Sequence, residues 1–302
     1  MTSLLLLSPA GVVAEAAALR RAEARLRGLG FDVVRDRDAL ARRQRFAGSD
    51  EVRLAALHRT ASAAPSIAMA TRGGYGLTRL LDGIDWRALA ASVAQGTRWV
   101  GHSDWTALQL ALLAHTGAPS WAGPMALDDF GRTDVAGGVD EVTRDTFVEA
   151  MDGSLEAVGF RTEAGHDGLD ASGVLWGGNL SVLQALVGTR HLPPPHRVKG
   201  GILFLEDVNE HPYRVERTLL HLHAAGVLES QRAVLLGAFS GWRPSPLDRG
   251  YTLRTAVAQL RSVCRVPMLT GLPFGHVHPK VTLPVGMRVR LLVDGRDVLI
   301  GW

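Results

Sequence analysis

The sequence predicts an α/β protein: an N-terminal parallel sheet flanked by helices, then a C-terminal α/β unit with a mixed sheet and a terminal β-hairpin. Three observations predict it. Short apolar runs alternate with longer helical patterns through the first half, which is how parallel sheets are built. Around residues 128–170 the periodicity fades while Gly and Asp rise, which divides the chain in two. Near the end, Arg288 to Val293 and Asp297 to Ile300 flank Asp294-Gly295-Arg296, a tight hairpin signal.

In chain order, Leu4 to Leu7 reads as a buried strand. No Lys or Arg precedes it and Pro9 follows, so the run is too short and too bare for a secretory core. Glu15 to Leu29 reads as a helix rich in Ala, Leu, Arg and Glu, stopped by Gly30. Phe31 to Val34 is the next strand. Ser49-Asp50 caps a helix running to about Thr60. Ser66 to Ala70 is a third strand and ends at Thr71-Arg72-Gly73-Gly74; a helix follows around Leu77 to Leu81. Trp99-Val100-Gly101 is a fourth strand, and Trp105 to Ala114 a helix. The stretch 128–170 is expected to be a linker with one helix near Arg144 to Met151, leaving domains at 1–127 and 171–302. In the second half the strands are Gly201 to Leu205 and Ala233 to Leu236. Pro212 opens a helix that Gly226 closes, and Thr252 to Val263 is another. Pro193-Pro194-Pro195 reads as a stiff connection.

Composition limits function. Of 302 residues, 46% are hydrophobic and 21% charged, a globular balance. The formal charge of +3 comes almost wholly from arginine, with Lys199 and Lys280 the only lysines, and no basic stripe marks a nucleic-acid surface. A single cysteine, Cys264, excludes a disulfide framework and a Cys-based metal cage. Charged residues interrupt every long apolar region, so no membrane span is expected. The expectation is a soluble cytoplasmic protein.

The chemistry centres on Gly101-His102-Ser103-Asp104, which sets a serine between an apolar strand and an amphipathic helix. Such a turn lifts a hydroxyl above the sheet edge and aims the first N–H groups of the helix at negative charge beside it. A plain N-cap at Ser103 or Asp104 explains the same residues. Arg72-Gly73-Gly74 ends the preceding strand, where open parallel sheets bind ligands. Its glycines admit close backbone approach, and an N–H there, with that of Asp104, makes an oxyanion hole. It lacks the ending of a phosphate loop, and a tight turn is the alternative. A serine needs a base and the base an orienting acid. Glu206 follows the apolar strand Gly201 to Leu205, with Asp207, Glu210 and Glu216 as nearby alternatives. His276 lies in the Gly/Pro-fixed loop Gly271 to Lys280. His276 and His278 could face one side, but no third ligand sits at zinc spacing, so no metal is expected.

Six segments in order carry a resemblance: Thr71 to Gly76, Gly101 to Asp104, Gly123-Pro124-Met125, Gly177-Gly178-Asn179-Leu180, Leu205 to Tyr213, and Gly271 to His276. With them the chain resembles the LD-carboxypeptidase (muramoyltetrapeptide carboxypeptidase) family of serine peptidases, which includes the microcin C immunity peptidases. The resemblance implies Ser103 as nucleophile, His276 as base and Glu206 as the orienting acid. It also implies an oxyanion hole from the N–H groups of Gly74 and Asp104. The substrate's free carboxylate needs a cationic or amide partner, for which Arg72 is the candidate and a plain surface arginine the alternative; Gly73 and Asn179 are the other candidate substrate contacts. It implies no cofactor, a homodimer, and removal of a terminal D-alanine from murein tetrapeptides. An immunity-type peptidase acting on an aminoacyl-nucleotide or microcin-like amide is the alternative, with Trp176 or Trp242 to stack the base. A non-catalytic muropeptide-binding protein is the other.

Overall fold

In the computed structural model, which describes residues 2–302, the chain alternates as expected through its first half. β1 (Thr2–Leu7), α1 (Ala16–Gly28), β2 (Phe31–Arg35), α2 (Asp50–Ala63), β3 (Ile67–Ala70), α3 (Trp86–Ala94), β4 (Arg98–Gly101), α4 (Thr106–Thr116) and β5 (Ser120–Ala122) follow in turn. Then come α5 (Glu141–Asp152), β6 (Ala157–Arg161), β7 (Asp170–Asn179), α6 (Leu180–Leu186), α7 (Pro195–Val198), β8 (Ile202–Val208), α8 (Pro212–Ala224), β9 (Ala233–Ser240), α9 (Leu253–Val263) and β10 (Met268–Thr270). β11 (Leu283–Val285), β12 (Arg288–Asp294) and β13 (Asp297–Gly301) close the chain.

Two sheets result. One runs β11-β5-β4-β3-β1-β2; all its strands are parallel except β11, which pairs antiparallel with β5. The other runs β10-β9-β8-β7-β12-β13-β6, parallel from β10 to β7 and antiparallel beyond. The hairpin closes with Asp294 opposite Asp297 and Gly295 at φ 59°. The four leucines of β1 show why its run is unbroken. Leu4 and Leu6 join one core cluster and Leu7 the other, so both faces of the strand are covered. Each cluster draws on both halves of the chain: Leu203 and Leu205 of β8 share one with α4, while Ile202 and Phe204 share the other with α1.

Several expectations are corrected. Residues 77–81 form two successive 3₁₀ turns, Leu77–Arg79 and Leu81–Gly83, and the helix comes afterwards as α3, capped by Asp85 through Arg87 and Ala88. Residues 128–170 are ordered elements: a π-turn at Ala126–Phe130, then α5, then β6 as the edge strand of the second sheet. Phe147 on α5 packs edge-on to Phe130 at 5.3 Å, so apolar spacing too sparse to read as periodic still buries its anchors. β7, Asp170–Asn179, is a strand that the sequence did not announce. Pro195 opens a short helix, where its missing N–H costs nothing.

Candidate active site

Ser103 sits where β4 gives way to the helical turn that leads into α4, and its φ is 64°. A non-glycine residue rarely adopts that region, and such strain gathers at functional turns. The surroundings hold it there. A methyl group on Gly73 would lie 2.7 Å from Ser103 Cβ and 2.8 Å from its Oγ, so the loop after β3 closes on the serine only because residue 73 has no side chain. The same methyl would stand 3.4 Å from the Asp104 nitrogen, which places that N–H beside the hydroxyl. Gly101 makes room for Trp105, whose ring would meet a Cβ at 2.9 Å. The Asp104 carboxylate accepts from Leu77 N at 2.9 Å and so ties the loop to the helix start. Burial pushes the Asp104 carboxyl above the usual carboxylate range. Gly74 has φ 111° and packs against Gly11, whose N–H donates to Gly73 O at 3.1 Å.

The acid and the base come from the other sheet. β8 ends in a register shift between Leu205 and Asp207, a bulge of the kind that re-aims side chains beside active sites. Glu206 is fully buried, and its Oε2 accepts from His276 Nδ1 at 2.8 Å. Its Oε1 accepts from Asn179 Nδ2 at 3.1 Å, and the same amide group donates to Asp207 Oδ1 at 3.0 Å. Burial would lower the His276 pKa, but the hydrogen bond and charge of Glu206 outweigh it and hold the ring above the ordinary histidine range. Burial raises the Asp207 carboxyl, with Glu206 adding to the rise against its donors Ser181, Val208 and Asn179.

The two corners meet at His102 and Thr106. The His102 ring, one residue before the serine, stands edge-on to that of His276 at 5.1 Å. Asn179 N donates to Thr106 Oγ1 at 3.0 Å, close enough that a methyl on Gly178 would lie 2.5 Å from that oxygen. The hydrogen bonds of the site run from His276 through Glu206 to Asn179 and Asp207; none joins Ser103 Oγ to His276. Such contacts are often long before substrate enters.

Over residues 5–123 the chain matches the model of the LD-carboxypeptidase N-terminal domain, and over 172–291 that of the C-terminal domain. It belongs to the LD-carboxypeptidase family. A murein tetrapeptide carboxypeptidase of Pseudomonas aeruginosa is 31% identical over 289 residues, 93% of this chain and 90% of that one. A putative carboxypeptidase of Streptomyces coelicolor is 34% identical over 278 residues, 89% and 84% of the two chains. The crystal structure of a muramoyltetrapeptide carboxypeptidase from Oxalobacter formigenes superposes with a TM-score of 0.89 at 40% identity, covering 100% of this chain and 99% of that one. The microcin C7 self immunity protein shares the fold at 21% identity, with a TM-score of 0.86 over 100% and 96% of the chains.

Other expected residues of this LD-carboxypeptidase family member fall differently. The Asn179 side chain is engaged within the protein: its Nδ2 donates to the two carboxylates and its Oδ1 caps α6 through Val182 N at 3.1 Å. Arg72 donates through Nη1 to Val12 O at 3.2 Å, while its Nε is buried without a partner. It lines a cavity of ≈ 340 Å³ with Arg21, Asp128 and Arg132. Desolvation and then the charge of Asp129 push the Asp128 carboxyl up, and Arg72 draws it back. Trp176 is a core residue, its Nε1 bonded to Gln231 at 2.9 Å; Trp242 is half-buried against His211. His276 and His278 do not converge, since His278 Nδ1 points toward Asp129 at 3.5 Å. The group His223, Glu229 and Cys264, with ligand atoms within 4.8 Å of one another, lies between the ends of α8 and α9, and its His and Glu already pair with each other.

Sequence reasoning missed the pair behind His102. Lys280 is 1% exposed, and its Nζ lies 2.8 Å from Asp129 Oδ1 and 3.3 Å from His102 Nε2. Being one of only two lysines in a chain that otherwise uses arginine was the available signal; Asp129 gave none, being in the expected linker.

Proposed function

We propose that the chain is a serine carboxypeptidase that hydrolyses the L,D-peptide bond to the terminal D-alanine of murein tetrapeptides. One observation carries the reading: a buried carboxylate, Glu206, holds His276 Nδ1 at 2.8 Å, and that ring touches the residue before a strained serine. Because Nδ1 donates to Glu206, Nε2 is the free acceptor. His276 Nε2 takes the Ser103 proton as Oγ attacks the carbonyl carbon before the D-residue. The N–H groups of Gly74 and Asp104 hold the resulting oxyanion, each donor contributing about 3 kcal/mol to the barrier reduction. Collapse breaks the C–N bond, and His276 returns the proton to the departing amine. Water, deprotonated by the same ring, then releases Ser103 from the acyl intermediate. Gly73 leaves room for the substrate backbone, and Arg72, with a buried nitrogen still unpaired beside the cavity, takes the terminal carboxylate.

The LD-carboxypeptidase relatives named for murein peptides, at 31% and 40% identity, support this substrate. Burial of Trp176 removes one of two aromatics that a nucleotide conjugate would use. The reading places the enzyme in the cytoplasm as a homodimer, without a nucleic-acid partner; none of the described helices is long and apolar enough to cross a membrane. Light scattering tests the assembly. The decisive assay supplies a murein tetrapeptide and an aminoacyl-sulfamoyl nucleoside side by side to wild type and Ser103→Ala. Release of D-alanine by the wild type alone is expected. D-Alanine release by Ser103→Ala at the wild-type rate, or preference for the nucleoside conjugate, overturns the reading.

A further inference from the structure

His102 has both ring nitrogens engaged, although it is not one of the three reacting residues. Its Nδ1 lies 3.0 Å from Gly123 O, and a carbonyl can only accept, so Nδ1 carries the proton. Nε2 is therefore a lone-pair acceptor, and it faces Lys280 Nζ at 3.3 Å. The lysine is anchored from behind by Asp129, whose other oxygen accepts from Met125 N at 2.8 Å. Its own backbone N donates to Thr143 Oγ1 at 2.9 Å, so the β10–β11 loop, the π-turn after β5 and α5 all hold it. The His102 ring also packs on His276 at 5.1 Å and on Phe274 at 6.2 Å between centroids. Burying an ion pair is costly unless the geometry is tight and its hydrogen bonds are completed. This pair donates its remaining capacity to the wall of the base.

We propose that Lys280 is a positioning residue that acts through His102: the ammonium occupies His102 Nε2, fixes the ring with its proton on Nδ1, and leaves His276 as the one imidazole beside Ser103 free to take a proton. Two imidazoles in edge contact would otherwise compete for the same proton. A cation on Nε2 ends the competition, because protonating that nitrogen would set two positive charges against each other. The groups facing His276 are Glu206 from β8, His102 from the turn after β4, Asp128 from the turn after β5 and Lys280 from the loop before β11. Those facing His102 are Lys280, His276 and His278. Burial, then Lys280 and His276, place His102 well below the ordinary histidine range. Lys280 also pulls His276 down against Glu206 and Asp128, so it trims the base while silencing its neighbour.

The catalytic meaning rests on the triad reading; the ring chemistry does not, and the test separates them. In Lys280→Met, histidine NMR titration is followed without substrate, and kcat/KM is followed against pH. We expect His102 to begin titrating at Nε2, while Gly123 O keeps the proton on Nδ1. The acid limb of kcat/KM should move about one unit to higher pH, a loss of roughly tenfold below the limb, with KM little changed. A purely structural lysine would lower activity without moving either the titration or the limb, and that result overturns the inference. Should Lys280→Met not fold with Asp129 left unpaired, Lys280→Met/Asp129→Asn removes both charges and is read by the same two measurements. Absence of hydrolysis by wild type, with the NMR result as expected, would sink the substrate reading and leave the ring assignment standing.

Discussion

The two corners of the site are held by different means. At the serine corner, position comes from the backbone: φ 64° at Ser103, glycine at 73 where a methyl would be 2.7 Å from the serine, and glycine at 101 beneath Trp105. At the acid–base corner, position comes from polar side chains: Glu206 and Asp207 share one Asn179 amide, and Glu206 passes its second oxygen to His276. The first corner fails when an atom is added, the second when a hydrogen bond is lost. Steric exclusion acts over tenths of an ångström and is insensitive to pH. A carboxylate network is sensitive to pH, because its strength depends on which members carry charge.

The largest effect should come from Glu206→Gln. Both oxygens of Glu206 accept, one from His276 and one from Asn179. A glutamine has a single acceptor, so one of those donors must face an NH₂ group. We expect kcat/KM to fall by roughly 10³–10⁴, the scale for a mis-oriented base. The base works only when neutral, so the rate rises as pH climbs through the His276 pKa. Glu206 holds that pKa above the ordinary range, and its loss should carry the acid limb to lower pH. A pH–rate profile whose limb stays fixed or moves upward would contradict the assignment of Glu206 as the orienting charge.

Gly73→Ala tests the other corner. The new methyl meets Ser103 Cβ and Oγ, which are fixed between β4 and α4 and cannot retreat. Overpacking costs about 1–3 kcal/mol, and displacing a reacting atom by about 1 Å costs roughly 10²-fold in rate. The activity loss should be the same across the pH range, unlike that of Glu206→Gln. Gly28→Ala is the control: no heavy atom lies within 4 Å of its Cβ position, and α1 should gain a few tenths of a kcal/mol to about 1 kcal/mol in thermal unfolding. An alanine at 73 as active as wild type would show that the loop yields and that backbone exclusion does not set the serine.

How much of this was legible follows the same division. Parallel strands buried on both faces are continuous apolar runs, so Leu4 to Leu7 and Ile202 to Leu205 could be read directly. β11 could not: it pairs with β5 from far along the chain, and nothing local in Leu283 to Val285 names its partner. β6 was hidden because an edge strand with one solvated face needs few apolar residues. In the site, Ser103, Glu206 and His276 each end an apolar strand or sit in a Gly/Pro-fixed loop, which is a local signal. Lys280 and Asp129 have no signature of spacing, since an ion pair joining a loop to a turn is a purely tertiary fact. Asn179 was legible as a site residue, but its cap and carboxylate bridge were not, because a strand-to-helix asparagine suits a ligand as well as either of those bonds.

Asn179→Ala should have the smallest effect on rate and the clearest effect on stability. Its Nδ2 separates two buried carboxyls, and its loss leaves Glu206 with one donor and exposes Asp207 to its neighbour's charge. Deleting a partner from buried polar groups costs about 1–3 kcal/mol. Asp207 already has a raised pKa in the fold, and losing the amide raises it further. A carboxyl whose folded pKa lies above its unfolded one favours the fold below the unfolded value, near 3.8, and loses that contribution as pH rises through the folded value. The melting-temperature deficit of the variant should therefore widen from pH 4 toward pH 7, while turnover at neutral pH stays within about tenfold of wild type. A deficit that is constant with pH would mean that the amide serves only to cap α6. The carboxylate corner would then be held by Ser181 and His276 without it, and the polar half of the comparison would rest on fewer bonds than the geometry implies.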